Sequence, residues 1–326
     1  MDYYNYSVDL PYTKCKIDFR EINTQEQLLI AKANLSFSNN KDSLYDYHKF
    51  ILSVILNCVK DKEEFYKINI IEYVLFLVKL RSISVGSTIE FLLKDENKAK
   101  TKIQINLKSY LLNLYNASNY FEDKNNSILT EKSIELKLNW PNINSVSTFN
   151  NLLLNEKKEY YVFNNSLFEF IEYIKINDNK ILWNNLNTEE KLKLFDKFPI
   201  ILKNKMEKNI IDAIKKLIES DMFDVSFFKD YKFSIYNLNF VEHIKMFLSY
   251  DLKSLFTEIY YLAVSKLPPN YVLTISDSER KMFMTIIQEQ NKKQEDNSSS
   301  VAPEDSIGFS GAVKDLAVEF GQDLSK

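Results

Sequence analysis

Apolar and polar residues alternate over residues 6–11 (YSVDLP) and 16–22 (KIDFREI) on either side of a four-residue turn, the period-two signature of a half-buried hairpin. Thr24 with Gln27 three positions on has the form of a capping box and opens a predicted helix to about Leu35. Tyr47, Phe50, Ile51, Val54, Ile55 and Cys58 then recur at steps of three and one, which predicts a helix with one apolar stripe and places Cys58 in the core. Asn69 with Glu72 forms a second capping box, and the YVLFLV run behind it is apolar on nearly every side, as in a buried helix. Arg81 falls in the last turn, where a cation complements the helix dipole. Gly86, the only glycine in the first three hundred residues, ends the RSISVG exit by allowing a positive φ.

Alternation returns at Ile89, Phe91 and Leu93 and at Ile103, Ile105 and Leu107 around a polar KDENKAK turn, a second hairpin. Ile134, Leu136, Leu138 and Trp140 repeat the pattern before Pro141 stops it. Three strands with one apolar face need helices to cover it, so residues 1–155 read as an α+β domain with two hairpins. Residues 156–293 read as a helical domain. Leu167, Phe168, Ile171 and Ile174 make one stripe, and a further helix is capped at Asn187 or Thr188. Residues 206–220 are amphipathic, and residues 239–267 supply two helices with a break near 249–251. Ser276 with Glu279 caps the last helix. Residues 294–326 form a polar, serine-rich acidic linker and a short amphipathic segment. Such a segment is marginal alone and needs a surface, on another chain or on its own body. Phe309, Val313, Leu316 and Phe320 are its candidate partner-binding anchors.

Composition narrows the function classes. A hydrophobic share of 45% supports a sizeable core, yet no apolar run approaches the ~18 residues of a membrane span. The first residues lack the basic and apolar regions of a secretory signal. Two cysteines, Cys15 and Cys58, suit a reducing compartment and make neither a disulfide framework nor a closed zinc site. The net charge of −3 is uneven: residues 294–326 hold seven acids and two lysines, which leaves the body near +2. Body lysines are interleaved with acids, and without a dense basic stripe nucleic acid is not an expected partner.

Chemistry-bearing patterns are sparse. A phosphate-cradling loop needs glycines that the body lacks. His48 and His243 have no neighbour at metal-ligand spacing and read as surface or satisfied histidines. There is no nucleophile elbow, and the carboxylates lie on lysine-mixed helix faces. No catalytic residue, metal, cofactor or small-molecule substrate is expected.

Four stretches carry a family resemblance. Residues 8–33 (VDLPYTKCKIDFREINTQEQLLIAKA) hold Leu10-Pro11, a short turn and a strand leading into a helix. Residues 69–91 (NIIEYVLFLVKLRSISVGSTIEF) run from an apolar helix through Leu80-Arg81 to Ser84-Val85-Gly86 and a strand. Residues 187–207 (NTEEKLKLFDKFPIILKNKME) follow a helix, turn and proline pattern. Residues 247–267 with 276–290 supply C-terminal helices and the Ser278-Glu279-Arg280 cap. In this order the chain resembles, from about residue 8 to 293, the baseplate hub proteins of T4-type contractile-tailed bacteriophages.

The resemblance implies non-enzymatic work in hub assembly, as a hub component or an assembly chaperone. The implied partners are other baseplate hub or tail proteins, and the implied locations are the host cytoplasm during assembly and the virion tail baseplate. Leu10, Pro11, Leu80, Arg81, Ser84, Val85, Gly86, Ser278, Glu279 and Arg280 would then be architectural. The alternative reading is a host-directed enzyme with a carboxylate-lined cleft between the two domains.

Overall fold

The computed structural model describes residues 4–36, 44–94, 100–145, 167–220, 222–224, 232–234, 245 and 247–298. The fold is α+β, with small antiparallel sheets among helices toward the N-terminus and a mainly helical C-terminal region. The chain forms two compact units, Met1–Lys281 and Met282–Lys326.

Strands β1 (Tyr6–Asp9) and β2 (Lys16–Phe19) pair antiparallel, as their alternation predicts. Helix α1 (Thr24–Ser36) follows, but its cap differs from the expected Thr24 and Gln27. Asn23 Oδ1 accepts from Glu26 N at 2.8 Å, and the Glu26 carboxylate accepts from Asn23 N at 2.9 Å. Thr24 and Gln27 are buried instead, with Thr24 Oγ1 donating to the Ile275 carbonyl. Helix α2 (Leu44–Ile55) stops before Cys58, which is buried in the turn that follows. The expected stripe therefore loses one turn, and Phe50 is left exposed.

Helix α3 (Lys62–Phe65) is one short turn before α4 (Ile70–Ser84), the centre of the core. Asn69 and Glu72 close the predicted capping box, and the run from Ile70 to Val78 is buried on all sides. Phe76 packs edge-on against Phe19 and Phe65, with ring centroids 5.2 Å and 4.8 Å apart. Gly86 then adopts φ 143°, a conformation that a side chain rarely tolerates, and a Cβ built there would touch nothing within 4 Å. Backbone conformation, not crowding, requires the glycine.

Strands β3 (Thr88–Lys94) and β4 (Lys100–Asn106) form their own two-stranded ribbon, in a register that pairs Ile89 with Ile105 and Phe91 with Ile103. Helix α5 (Leu107–Ser118) and the one-turn α6 (Lys124–Ser127) lead to the main sheet. There β5 (Ile128–Glu131), β6 (Ile134–Leu138), β7 (Ile171–Ile176) and β8 (Asn179–Leu182) run as an antiparallel meander. The strands of the second hairpin and Ile134–Leu138 thus do not share one sheet, contrary to the three-strand expectation.

The stripe over Leu167, Phe168, Ile171 and Ile174 is not a helix either. Phe168–Phe170 is a single 3-10 turn and Ile171 begins β7. The register shifts between Lys137 and Leu138, so that Leu136 pairs with Ile174 and Leu138 with Ile171. The extra residue on β7 sends two inward side chains out at a spacing of three, which imitates a helix. The expected boundary at 155/156 lies outside the described residues, and the meander takes two strands from each side of it.

Helix α7 (Thr188–Asp196) is capped by Asn187 with Glu190. Helix α8 (Ile200–Ser220) buries Leu202, Met206, Ile210 and Ala213 on one face, packed against α5 and β5. Strands β9 (Met222–Asp224) and β10 (Lys232–Ser234) make a short pair. Asp251 caps α9 (Leu252–Val264), which confirms the break near 249–251. Helix α10 (Pro269–Thr274) is followed by α11 (Asp277–Ser298), where Ser276 and Glu279 make the predicted cap. Among the described residues no helix is long and apolar enough to cross a membrane.

Candidate interaction surface

Several residues singled out by the sequence make polar contacts between segments far apart in the chain. The Arg81 guanidinium reaches past its own helix end and donates to the Ser249 carbonyl at 2.8 Å, joining positions 168 residues apart. One turn on, Ser84 Oγ accepts from Ile22 N at 3.0 Å. Ser278 Oγ donates to Glu21 at 2.6 Å, and Arg280, only 2% exposed, donates to Thr24 Oγ1 at 2.9 Å and to Glu258 at 2.6 Å. Asp277 is the third partner of Arg280. Leu10 and Leu80 are buried, Val85 is the C-cap of α4, and Pro11 opens the β1–β2 turn. Arg81, Ser84, Ser278 and Arg280 thus each tie one chain segment to another.

Two joints carry no sequence signal of their own. Glu72, fully buried, accepts from Tyr12 N and Thr13 N at 2.8 Å each, from Thr13 Oγ1 at 3.1 Å and from Asn69 N at 3.2 Å. Its place in a capping box is legible; its second role, locking the β1–β2 turn onto α4, is not. A lone acid on an otherwise apolar helix was the available hint. Arg20 pairs with Glu26 at 2.7 Å, and its Nη1 also lies 3.9 Å from Cys58 Sγ. Buried acids are therefore each held by a neighbour: Glu26 by Arg20, Glu72 by amides, Asp277 by Arg280. Such acids are spent on architecture.

His48 departs from its reading as a surface or satisfied residue. It is buried, its Nε2 has no hydrogen-bond partner, and its ring stands edge-on to Tyr73 at 5.7 Å. Burial holds its pKa down at about 4. Burial likewise raises the Cys15 thiol, whose Sγ lies 3.2 Å from Glu64. His243, Phe309, Val313, Leu316 and Phe320 lie outside the described residues. Among the described residues no cluster of His, Cys, Asp or Glu is arranged to hold a metal ion.

What remains outward-facing suits contact with other proteins. Ile200 and Ile201, 69% and 53% exposed, stand together in the first turn of α8, and Leu112 and Val264 are exposed on α5 and α9. A groove of about 470 Å³ opens between the β1–β2 turn and the main sheet, with Tyr12, Lys14, Phe121, Lys124, Leu138 and Tyr173 among its walls. A protein-family model described as T4 bacteriophage base plate protein matches residues 1–226, more than half of the chain. Neither the curated proteins nor the solved structures yield a match.

Proposed function

Because the chain belongs to the family of T4 bacteriophage base plate proteins, we propose that it acts at the base plate hub and helps to build it through protein–protein contacts. Membership in a family of tail structural proteins carries this reading. Two features support it: the buried acids are held by ion pairs and hydrogen bonds within the fold, and large apolar side chains are exposed on α5, α8 and α9. Contacts begin in the host cytoplasm, where the hub is put together, and involve other hub or tail proteins.

In this reading the body supplies one contact and the tail a second. Phe309, Val313, Leu316 and Phe320 anchor the C-terminal segment on a partner, and the acidic linker before them keeps it at high local concentration. Residues 294–326 then act as a tether.

Quantitative mass spectrometry of purified mature particles against infected-cell lysate tests the proposal. A fixed ratio to other base plate proteins in particles marks a hub component. Abundance in lysate alongside unassembled hub proteins, with none in particles, marks an assembly factor that departs. A chain that co-fractionates with no tail protein in either sample overturns the proposal.

A further inference from the structure

We propose that the groove between the β1–β2 turn and the main sheet receives an extended acidic segment of a neighbouring base plate protein. The inference rests on family membership and not on the tail contact. Its volume of about 470 Å³ lies within the ~300–1,000 Å³ of ligand-sized clefts. The floor is apolar: Phe121 and Leu138 are buried beneath it, and Phe121 packs edge-on against Trp140 at 5.2 Å. The wall is stiff. Glu72 holds the amides of Tyr12 and Thr13 from below, and Lys14 takes a positive φ of 57° at the end of the turn. A preformed wall spares an incoming chain the cost of ordering its receptor.

Charge selects the occupant. Lys14, Lys124 and Lys137 line the groove with Glu122 and Glu172. Lys137 and Glu172 neutralise one another at 3.0 Å. Lys14 and Lys124 are exposed and make no ion pair among the described residues, so beyond the Lys137–Glu172 pair the charged lining is two lysines and the single Glu122. Carboxylates at the rim complete these pairs over an apolar floor, where screening is weaker than on an open face. Apolar side chains between the carboxylates cover Phe121, Ile128 and Leu138. A basic segment would be repelled by both lysines.

Fluorescence anisotropy with the full-length chain tests this, using a labelled peptide of alternating glutamate and leucine with one central tyrosine. Its twin carries glutamine for every glutamate. The acidic peptide is expected to bind at least about tenfold tighter than the twin and to weaken with added salt. Reversing the rim with Lys14→Glu and Lys124→Glu should remove that preference, whereas Lys208→Glu with Lys253→Glu, the same charge change on other exposed lysines, should leave it. The milder pair Lys14→Asn and Lys124→Gln should reduce it if the reversal fails to fold. Equal affinity for the two peptides, equal effects of rim and remote variants, or no binding overturns the proposal. So does binding that appears only after Glu295, Asp296, Glu304 and Asp305 are changed to their amides, because the chain's own tail would then be the occupant.

Discussion

His48 is a neutral imidazole in the core, and its environment sets a pH dependence. Burial lowers its pKa from 6.5 to about 4, so the unfolded chain takes up a proton there before the folded chain does. Its contribution to stability is fully present above pH 6.5 and is lost as the pH falls toward 4. At pH 5 the loss should be about 2 kcal/mol. Urea unfolding at pH 7 and pH 5 should therefore show a larger drop for the natural chain than for His48→Phe, which keeps a ring against Tyr73 and cannot titrate. Equal drops would mean that the site admits the proton at little cost. The apolar stripe through Tyr47 and Ile51 was legible, but it could not show that the imidazole between them turns inward without a partner.

Helix α4 shows how one element can carry two duties. Its buried run follows directly from a sequence with no polar face, and its cap from Asn69 and Glu72. The hairpin turn fixed to the same Glu72 lies about sixty residues upstream, and only the fold brings it there. Glu72→Leu should strand the amides of Tyr12, Thr13 and Asn69 without an acceptor, at about 1–3 kcal/mol for each buried donor. Chemical denaturation should show a loss of at least ~3 kcal/mol, with Glu72→Gln intermediate. Hydrogen exchange at the Tyr12 and Thr13 amides should quicken in both variants. Unchanged exchange would mean that the turn holds without α4. Strand β7 shows the opposite limit. Its bulge spaces Ile171 and Ile174 by three residues, so the pattern of the strand alone pointed to a helix.

At the scale of the whole molecule, distant segments are held by few polar ties: Ser249 to Arg81, Glu21 to Ser278, and Thr24 to Arg280. The tail stands outside those ties in the proposed division of labour. Deleting residues 294–326 should leave the melting temperature of the body within about 2 °C, the scale of roughly 1 kcal/mol in a chain of this size. It should also weaken binding to purified hub proteins. Unchanged affinity would discard Phe309, Val313, Leu316 and Phe320 as anchors. The sequence by itself determined the hairpins, the buried helix, four of the helix starts and the family, because each is written in local periodicity, caps and short motifs. Only the tertiary structure decided which strands share a sheet, where Arg81, Glu72 and Arg280 find their partners, and that Lys14 and Lys124 border one groove. Those facts depend on contacts between residues far apart in the chain, and neither periodicity nor spacing encodes them.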